Sequence, residues 1–266
     1  MRQIERLILK NKLLEKIKAG HIASMMSVRL VKSAEISLIA SSFGFDALYV
    51  DLEHSTFSID DTSRVCLSAI GAGLTPLVRV PVVDSDYISR VLDSGAMGII
   101  APHISSVEEA ERLVSLCKFP PIGSRSSVTS LPQFSYLSMD QKVLYQAGNS
   151  ATAVIAMIED QASITQIRKI LAVEGLDGVL IGTNDLCADL GIQGKPDNAL
   201  IDDAFHTATS AAKEFGKFVG IGGLARNSEL QKRYIKMGAH LISLGTDLSF
   251  LMDGAKKQID SVKKII

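Results

Sequence analysis

The chain has 266 residues, of which 47% are hydrophobic and 21% charged, and its formal net charge is −1. This balance, with no basic cluster, argues against nucleic acid as the main partner, and no apolar run approaches the roughly 20 residues that span a bilayer. The cysteines Cys66, Cys117 and Cys187 are far apart and form no zinc-binding or redox pattern. They suit a reducing compartment, so we expect a cytoplasmic protein.

Strands and helices are predicted to alternate along the chain. The first element is an amphipathic helix over Met1–Gly20 that ends at Gly20. The eight predicted strands are short apolar runs: His21–Val28, Phe45–Leu52, Thr75–Val80, Met97–Ala101, Ala153–Ile158, Gly178–Gly182, Lys217–Ile221 and His240–Leu244. The predicted helices are Ser33–Ser42, Asp60–Ile70, one from the cap Asp84 to Ser94, one opened by a capping box at Ser106, Met139–Gln146, Ser163–Val173, Ala199–Phe215, Ser228–Met237 and one from Asp247.

This alternation predicts a parallel sheet, and the count of eight strands favours a sheet closed into a (β/α)8 TIM barrel. We expect a single barrel domain over residues 1–266, with an N-terminal helix and an extended C-terminal helix. An open, doubly wound sheet shares the same pattern. However, no Gly-x-Gly-x-x-Gly follows the first predicted strand, which argues against an open sheet of the dinucleotide-binding type.

Two carboxylates each follow an apolar strand. Glu159 ends the run Ala153–Ile158, and Asp185 comes three residues after Gly178–Gly182. Neighbouring parallel strands end on one face, where ligands bind. Adjacent carboxylates repel each other and stay ionised together only beside a cation, and Mg²⁺ or Mn²⁺ prefers such oxygen ligands. Either residue alone is more simply a helix cap, but the matched pair favours a divalent metal site.

Ionisable side chains also follow the second and third strands. Asp51, Glu53 and His54 lie within four residues. His54 is a candidate general base, although a lone histidine more often caps or packs in a loop. Arg79 lies among apolar residues and needs an anionic partner, either a structural carboxylate such as Asp51 or a substrate oxyanion. A metal site close by would favour the second role for Arg79, binding of a substrate oxyanion.

The other strand ends carry weaker signals. His103, after the fourth strand, is expected to be structural or peripheral, and the glycines after strands seven and eight suit a phosphate cradle or tight turns alone. Backbone N–H groups around Asn184 and Asp185 begin a short helix and can hold a carboxylate. No lysine lies at the carboxyl end of a predicted strand. Schiff-base catalysis is therefore disfavoured, and carbonyl chemistry would need the metal as its electrophile.

Several longer stretches share one family's pattern. They are Phe45–His54 (FDALYVDLEH), Pro76–Pro81 (PLVRVP), Leu92–Ala96 (LDSGA), Pro120–Arg125 (PPIGSR), Met157–Glu159 (MIE), Val173–Gly182 (VEGLDGVLIG), Asn184–Leu186 (NDL) and Ala188–Gly191 (ADLG). In these stretches the chain resembles the class II, metal-dependent 2-oxo acid (pyruvate) aldolases of the HpcH/HpaI aldolase/citrate lyase family. They run in the family's order from about the second strand to the last helix.

The resemblance implies a barrel of the phosphoenolpyruvate/pyruvate-binding type, usually a hexamer built as a trimer of dimers with exchanged C-terminal helices. It implies that Glu159 and Asp185 hold a divalent cation (Mg²⁺, Mn²⁺ or Co²⁺), which pyruvate chelates through a carboxylate oxygen and its keto oxygen. The backbone amides of Asn184 and Asp185 would bind the rest of the carboxylate. Arg79 would stabilise the enolate oxygen, and His54, acting with a metal-bound water, would move protons.

By the same resemblance, Asp93 raises the basicity of His54. Asp93 ends a helix just before the fourth strand, on the wrong face of its own barrel. We therefore expect it to reach His54 from a neighbouring subunit, and we expect a monomer to be nearly inactive. Two positions depart from the family: Met157, where many members have a glutamine that contacts the substrate, and Ser126, where many have glycine. Both bear on the acceptor side and leave the metal and enolate residues intact.

The expected reaction is reversible cleavage of a 4-hydroxy-2-oxo acid into pyruvate and an aldehyde. Family relatives use the same enolate for oxaloacetate decarboxylation or for condensation with another 2-oxo acid to give a tricarboxylate. Two alternatives lie outside this class of reaction. One is a metal-free barrel that binds a phosphorylated ligand, and the other is a non-catalytic scaffold in which Glu159 and Asp185 only cap helices.

Overall fold

A computed structural model of the chain describes residues 10–263. Its centre is a closed ring of eight parallel strands, each hydrogen-bonded to the next in chain order, and β8 closes on β1. The strands are β1 (Ala23–Val28), β2 (Ala47–Asp51), β3 (Thr75–Arg79), β4 (Gly98–Ala101), β5 (Ala153–Ile158), β6 (Gly178–Gly182), β7 (Phe218–Gly222) and β8 (Leu241–Thr246). The predicted (β/α)8 TIM barrel is confirmed.

Helices connect the strands and surround the ring. They are α1 (Lys12–Lys18), α2 (Glu35–Ser42), α3 (Ile59–Gly71), α4 (Ser85–Asp93), α5 (Val107–Cys117), α6 (Gln141–Ala151), α7 (Gln161–Leu171), α8 (Thr183–Asp189), α9 (Ala199–Phe215), α10 (Ser228–Met237) and α11 (Asp247–Lys263). Caps predicted from sequence are present, since Asp84 caps α4 and Ser106 forms a capping box with Glu109 on α5. No helix within residues 10–263 is long and apolar enough to cross a membrane.

The strands are largely apolar because both of their faces are buried, and the charged residues Asp51 and Arg79 stand at their carboxyl ends. Side chains such as Tyr49, Leu77 and Ile155 point into the ring and form an inner core. The intervening residues, such as Val78 and Val154, pack outward against the helices. This arrangement leaves the two ends of the barrel as the places where polar groups can gather.

Helix α1 closes the amino-terminal end of the barrel. Its residues Leu13, Leu14 and Ile17 join the inner core. The Asn11 side chain caps α1 and donates hydrogen bonds to the carbonyl oxygens of Met97 (2.9 Å) and Ala151 (2.8 Å). The rest of the predicted first helix, residues 1–9, lies outside the described residues. With one end filled, ligands can enter the barrel at the carboxyl ends of the strands.

Some boundaries differ from the predictions for physical reasons. The predicted helix at Met139–Gln146 is instead α6, which begins at Gln141 and continues to Ala151. Gly148 allows this extension, because a Cβ there would lie 2.9 Å from the Phe119 ring, against which the helix packs. Strand β1 begins at Ala23, since the backbone N–H of His21 bonds to Lys16 at the end of α1.

Candidate active site

A cavity of about 520 Å³ opens where the strands end, within the usual range of roughly 300–1,000 Å³ for small-molecule sites. Its walls come from the carboxyl ends of β1, β2, β3, β5, β6, β7 and β8. Six of the predicted site residues line it: His54, Arg79, Met157, Glu159, Asn184 and Asp185. No lysine of the described chain lines this cavity, in agreement with the strand ends predicted from sequence.

Asp51 is the structural partner of Arg79. Its fully buried carboxylate accepts hydrogen bonds from Nε (2.9 Å) and Nη2 (2.6 Å) of Arg79 and from the backbone N–H groups of Glu53 and His54. Burial opposes ionisation of Asp51, but the hydrogen bonds and positive charge of Arg79 outweigh it and lower the pKa of Asp51. Of the two partners predicted for Arg79, a structural carboxylate or a substrate oxyanion, the structure shows the first, Asp51.

A second carboxylate holds the other side of the Arg79 guanidinium. Nη1 of Arg79 lies 2.8 Å from Oε2 of Glu53 and 3.8 Å from the Met157 sulfur. With Asp51 and Glu53 on two sides, the guanidinium is fixed while it lines the cavity. Arg79 is thus a preorganised positive charge at the cavity wall.

The Glu159 carboxylate packs against Gly182 of the neighbouring strand β6, where a residue with a side chain would leave no room for it. A Cβ on Gly182 would lie 2.5 Å from Oε1 of Glu159. The other oxygen, Oε2, accepts a hydrogen bond from the backbone N–H of His103 (3.1 Å) and lies 3.1 Å from His103 Nδ1. Burial raises the pKa of Glu159, and the negative charge of Asp185 adds to this rise although the His103 contacts oppose it.

Asp185 and Asn184 belong to the first turn of α8, directly after β6. Both line the cavity, and the Asn184 side chain packs against Gly223, where a Cβ would lie 3.2 Å from Nδ2. Backbone N–H groups in a first helical turn have no partner within the helix and are available to an anion. The turn therefore brings a carboxylate to the cavity wall, and its first backbone N–H groups have no partner within the helix.

The two carboxylates fit a hard divalent cation. Within residues 10–263, neither Oε1 of Glu159 nor the Asp185 carboxylate receives a hydrogen bond from a protein donor. The same residues contain no group of three or more His, Cys, Asp or Glu side chains that could hold a metal. Mg²⁺ is typically bound by one or two carboxylates and completes its coordination with water and substrate. The donor set suits such an open site.

The His54 side chain lines the cavity and has no hydrogen-bond partner within residues 10–263. Its side chain is 55% exposed, and Nε2 lies 3.9 Å from Oε2 of Glu53, beyond hydrogen-bond distance. The backbone is fixed instead, because the His54 N–H donates to Asp51. The imidazole can therefore meet a bound ligand without breaking a hydrogen bond.

His103, expected to be structural or peripheral, does not line the cavity but supports two carboxylates beside it. Its backbone is left-handed (φ 55°), and its ring bridges two carboxylates, with Nδ1 near Glu159 and Nε2 3.0 Å from Oε1 of Glu53.

Arg29 was not among the residues predicted from sequence. It follows β1, lines the cavity and places Nε 2.6 Å from Oδ2 of Asp51. The only sequence signal for each was its position, His103 two residues after β4 and Arg29 directly after β1.

Asp93 lies away from the cavity. It ends α4, next to the start of β4, and its Oδ1 lies 2.7 Å from Nη2 of Arg125. Helix α4 runs from the carboxyl end of the barrel back to the amino end, so Asp93 lies on the face opposite His54. Contact between these two residues across a subunit boundary stays a prediction.

Gly223, directly after β7, and Gly245, near the end of β8, lie against protein atoms. Asn184 covers Gly223, and a Cβ on Gly245 would lie 2.8 Å from the Phe250 ring. Both glycines have positive φ angles, +78° and +143°. Tight turns and close packing account for them, and a phosphate cradle is not needed.

The sequence matches the HpcH/HpaI aldolase/citrate lyase family over residues 24–254. It is 38% identical to a 4-hydroxy-4-methyl-2-oxoglutarate aldolase of Chaetomium globosum, over 84% of this chain and 83% of that protein. It is 32% identical to a 4-hydroxy-2-oxo-heptane-1,7-dioate aldolase of Salmonella dublin, over 93% of each.

Solved structures agree with this match. The crystal structure of an HpcH/HpaI aldolase from Desulfitobacterium hafniense superposes with a TM-score of 0.88 at 28% identity, over 94% of this chain and 95% of that one. The curated relatives are aldolases, which are carbon–carbon lyases. The chain is therefore an enzyme of this class and belongs to the HpcH/HpaI aldolase/citrate lyase family.

Proposed function

We propose that this enzyme cleaves a 4-hydroxy-2-oxo acid reversibly into pyruvate and a carbonyl acceptor, with a divalent cation at Glu159 and Asp185. The observation that carries the proposal is the meeting of four groups in one cavity: two carboxylates with unpaired oxygens, the fixed guanidinium of Arg79 and the free imidazole of His54. Both relatives are named for 4-hydroxy-2-oxo acids.

The cation would be held by Glu159 and Asp185, and when bound it supplies a Lewis acid for the keto oxygen of the substrate. The N–H groups of the first turn of α8 bind the adjacent carboxylate. In the cleavage direction the 4-hydroxyl loses its proton and the C3–C4 bond breaks. The electron pair of that bond passes into the enolate of pyruvate, and C3 then takes up a proton.

Arg79 stabilises the negative charge on the enolate oxygen. Its guanidinium needs little reorganisation, because Asp51 and Glu53 already fix it beside the cavity. His54 moves protons between the 4-hydroxyl and solvent, a role that suits an exposed imidazole with no hydrogen-bonded partner among the described residues of its own chain. Asp93 of a neighbouring subunit supports His54 in this role.

Assembly through exchanged C-terminal helices is part of the proposal. Asp247 anchors α11 by accepting hydrogen bonds from the backbone N–H groups of Arg29, Leu30 and Val31. Beyond this anchor, α11 carries large exposed apolar side chains: Leu248, Phe250, Leu251, Met252, Ile259 and Val262. An exposed apolar face of this kind marks an interaction site. A second copy of this chain would cover it and would bring the second barrel close to the first.

The direct test is cleavage of 4-hydroxy-4-methyl-2-oxoglutarate by the purified enzyme. We expect pyruvate formation with Mg²⁺ or Mn²⁺, loss of activity with a chelator, and recovery when the metal is restored. A variant with Glu159→Gln should remain inactive at all metal concentrations used. Equal rates with and without chelator would contradict the metal site, and carbon dioxide release from oxaloacetate without any aldol cleavage would favour the decarboxylase alternative.

A further inference from the structure

Arg29 is anchored on the wall of the cavity by a hydrogen bond from its backbone and by an ion pair from Nε, which has no hydrogen-bond partner among the described residues. Its backbone N–H donates to Oδ1 of Asp247 (3.0 Å), and its Nε lies 2.6 Å from Oδ2 of Asp51. The side chain remains 35% exposed, and it lines the cavity. A long cationic side chain held in this way loses little further conformational entropy when it binds an anion.

In the described part of the chain, both terminal nitrogens of Arg29 are unused, which distinguishes it from the other two arginines that line the cavity, Arg79 and Arg226. Arg79 is engaged by Asp51 and Glu53, and Nη2 of Arg226 lies 2.7 Å from Asp253. Within residues 10–263, Nη1 and Nη2 of Arg29 have no hydrogen-bond acceptor. A guanidinium with two free nitrogens matches the geometry of a carboxylate, which it binds through paired N–H···O bonds.

The position of Arg29 suits the far end of a substrate. Strand β1 is four places from β5, the strand that Glu159 follows, in the closed ring. The Arg29 side chain lies next to Arg79, since Nε of Arg29 and Nη2 of Arg79 each lie 2.6 Å from Oδ2 of Asp51. The wall at Arg29 also carries the hydroxyls of Ser27 and Ser243, which are 3.3 Å apart. An acid whose 2-oxo end lies between Glu159 and Arg79 can therefore reach Arg29 with its other end.

We propose that Arg29 binds a second carboxylate of the substrate and makes the enzyme selective for dianionic 4-hydroxy-2-oxo acids, whose acceptor fragment is itself an acid. This inference rests on the proposed aldolase function and adds the acceptor class to it. The two substrates named for the relatives are both dicarboxylates, which agrees with this assignment. No bond is made or broken at Arg29, whose role is binding and selection.

The test compares two acceptors of similar shape in aldol addition of pyruvate: 4-oxobutanoate and 4-methylpentanal, in which an uncharged isopropyl group replaces the carboxylate. The readout is the ratio of their kcat/KM values for the wild-type enzyme and for Arg29→Gln, Arg29→Lys and Arg226→Gln. Because the ratio is taken within each variant, any loss of activity that affects both acceptors equally, such as one caused by disturbing the Asp51 contact, does not change it. Deuterium exchange into pyruvate without any acceptor is recorded for each protein.

We expect Arg29→Gln to lower the preference for the carboxylate by about 10- to 100-fold, mainly because the acidic acceptor binds more weakly and its KM rises. Arg29→Lys should retain part of the preference, and Arg226→Gln, the matched arginine variant, should keep it. An unchanged ratio in Arg29→Gln, or a loss in Arg226→Gln instead, would overturn the assignment. A wild-type enzyme that exchanges no pyruvate protons would refute the proposed function itself and this inference with it.

Discussion

At the scale of single residues, the site is a series of polar contacts that crosses the mouth of the barrel. Asp51 holds Arg79, Arg79 contacts Glu53, and His103 joins Glu53 to Glu159. Each member is positioned by its neighbour, so the groups that face the ligand do not have to be ordered when it arrives. Fixed charges of this kind contribute most where new charge develops during a reaction.

Replacing Arg79 by alanine should slow enolate formation by about 100- to 1,000-fold, as for the loss of an oxyanion donor. The measurement is the rate of deuterium exchange into pyruvate, together with a denaturation curve to verify folding. Arg64→Ala, which removes an exposed arginine of α3, is the matched control and should exchange deuterium at the wild-type rate. Exchange near the wild-type rate in Arg79→Ala would contradict its role.

His103 should matter for metal affinity because it holds one oxygen of Glu159. Asparagine tolerates the left-handed backbone at this position, so His103→Asn removes the ring contacts with little strain. We expect Mg²⁺ binding, measured by calorimetry, to weaken by about 10-fold, as for other supports of metal ligands. The control is His206→Asn on the exposed surface of α9. Equal Mg²⁺ affinity in both variants would show that His103 does not position Glu159.

At the scale of elements, the pairing of β5 and β6 places Glu159 above Gly182. The glycine has an ordinary φ of −83°, so alanine fits its backbone but not its surroundings. Gly182→Ala should displace the Glu159 carboxylate and reduce Mg²⁺ affinity by about 10-fold or more. Gly254→Ala, at an open position in α11, should leave it unchanged. Wild-type affinity in Gly182→Ala would mean that Glu159 is not held where the structure places it.

Elements and site residues differ in how well the sequence predicts them. Glu159 and Asp185 could be found because local apolar runs determine where strands end. The contacts of His103 depend on a left-handed backbone, and those of Arg29 depend on a carboxylate from the next strand. Neither feature leaves a local pattern. The extension of α6 likewise depends on a distant ring, that of Phe119.

At the scale of the whole molecule, one barrel does not contain the complete proposed site. Asp93 lies at the opposite end from His54 and pairs with Arg125, and α11 exposes its apolar face. A shared site explains why both features occur in one chain. It also predicts that activity belongs to the assembly and not to the separated subunit.

Mixing inactive variants tests the shared site. We expect His54→Ala and Asp93→Asn to be nearly inactive separately and to recover up to about a quarter of wild-type activity after subunits are exchanged in equal amounts. Random pairing makes half of the dimers mixed, and each mixed dimer has one intact site of two. Two separate preparations of His54→Ala, mixed in the same way, are the control. No recovery despite proven subunit exchange, or an active monomer, would contradict the proposal.

The proposed cation at Glu159 and Asp185, which allows enolate formation beside Arg79, can be tested by proton NMR without knowledge of the acceptor. Pyruvate is followed in heavy water with Mg²⁺ in the presence of the enzyme. We expect the pyruvate methyl signal to disappear with the wild-type enzyme, and to persist with chelator or with Glu159→Gln. A methyl signal that persists with the wild-type enzyme and Mg²⁺, or that disappears equally with chelator, would contradict the proposed metal-dependent enolate.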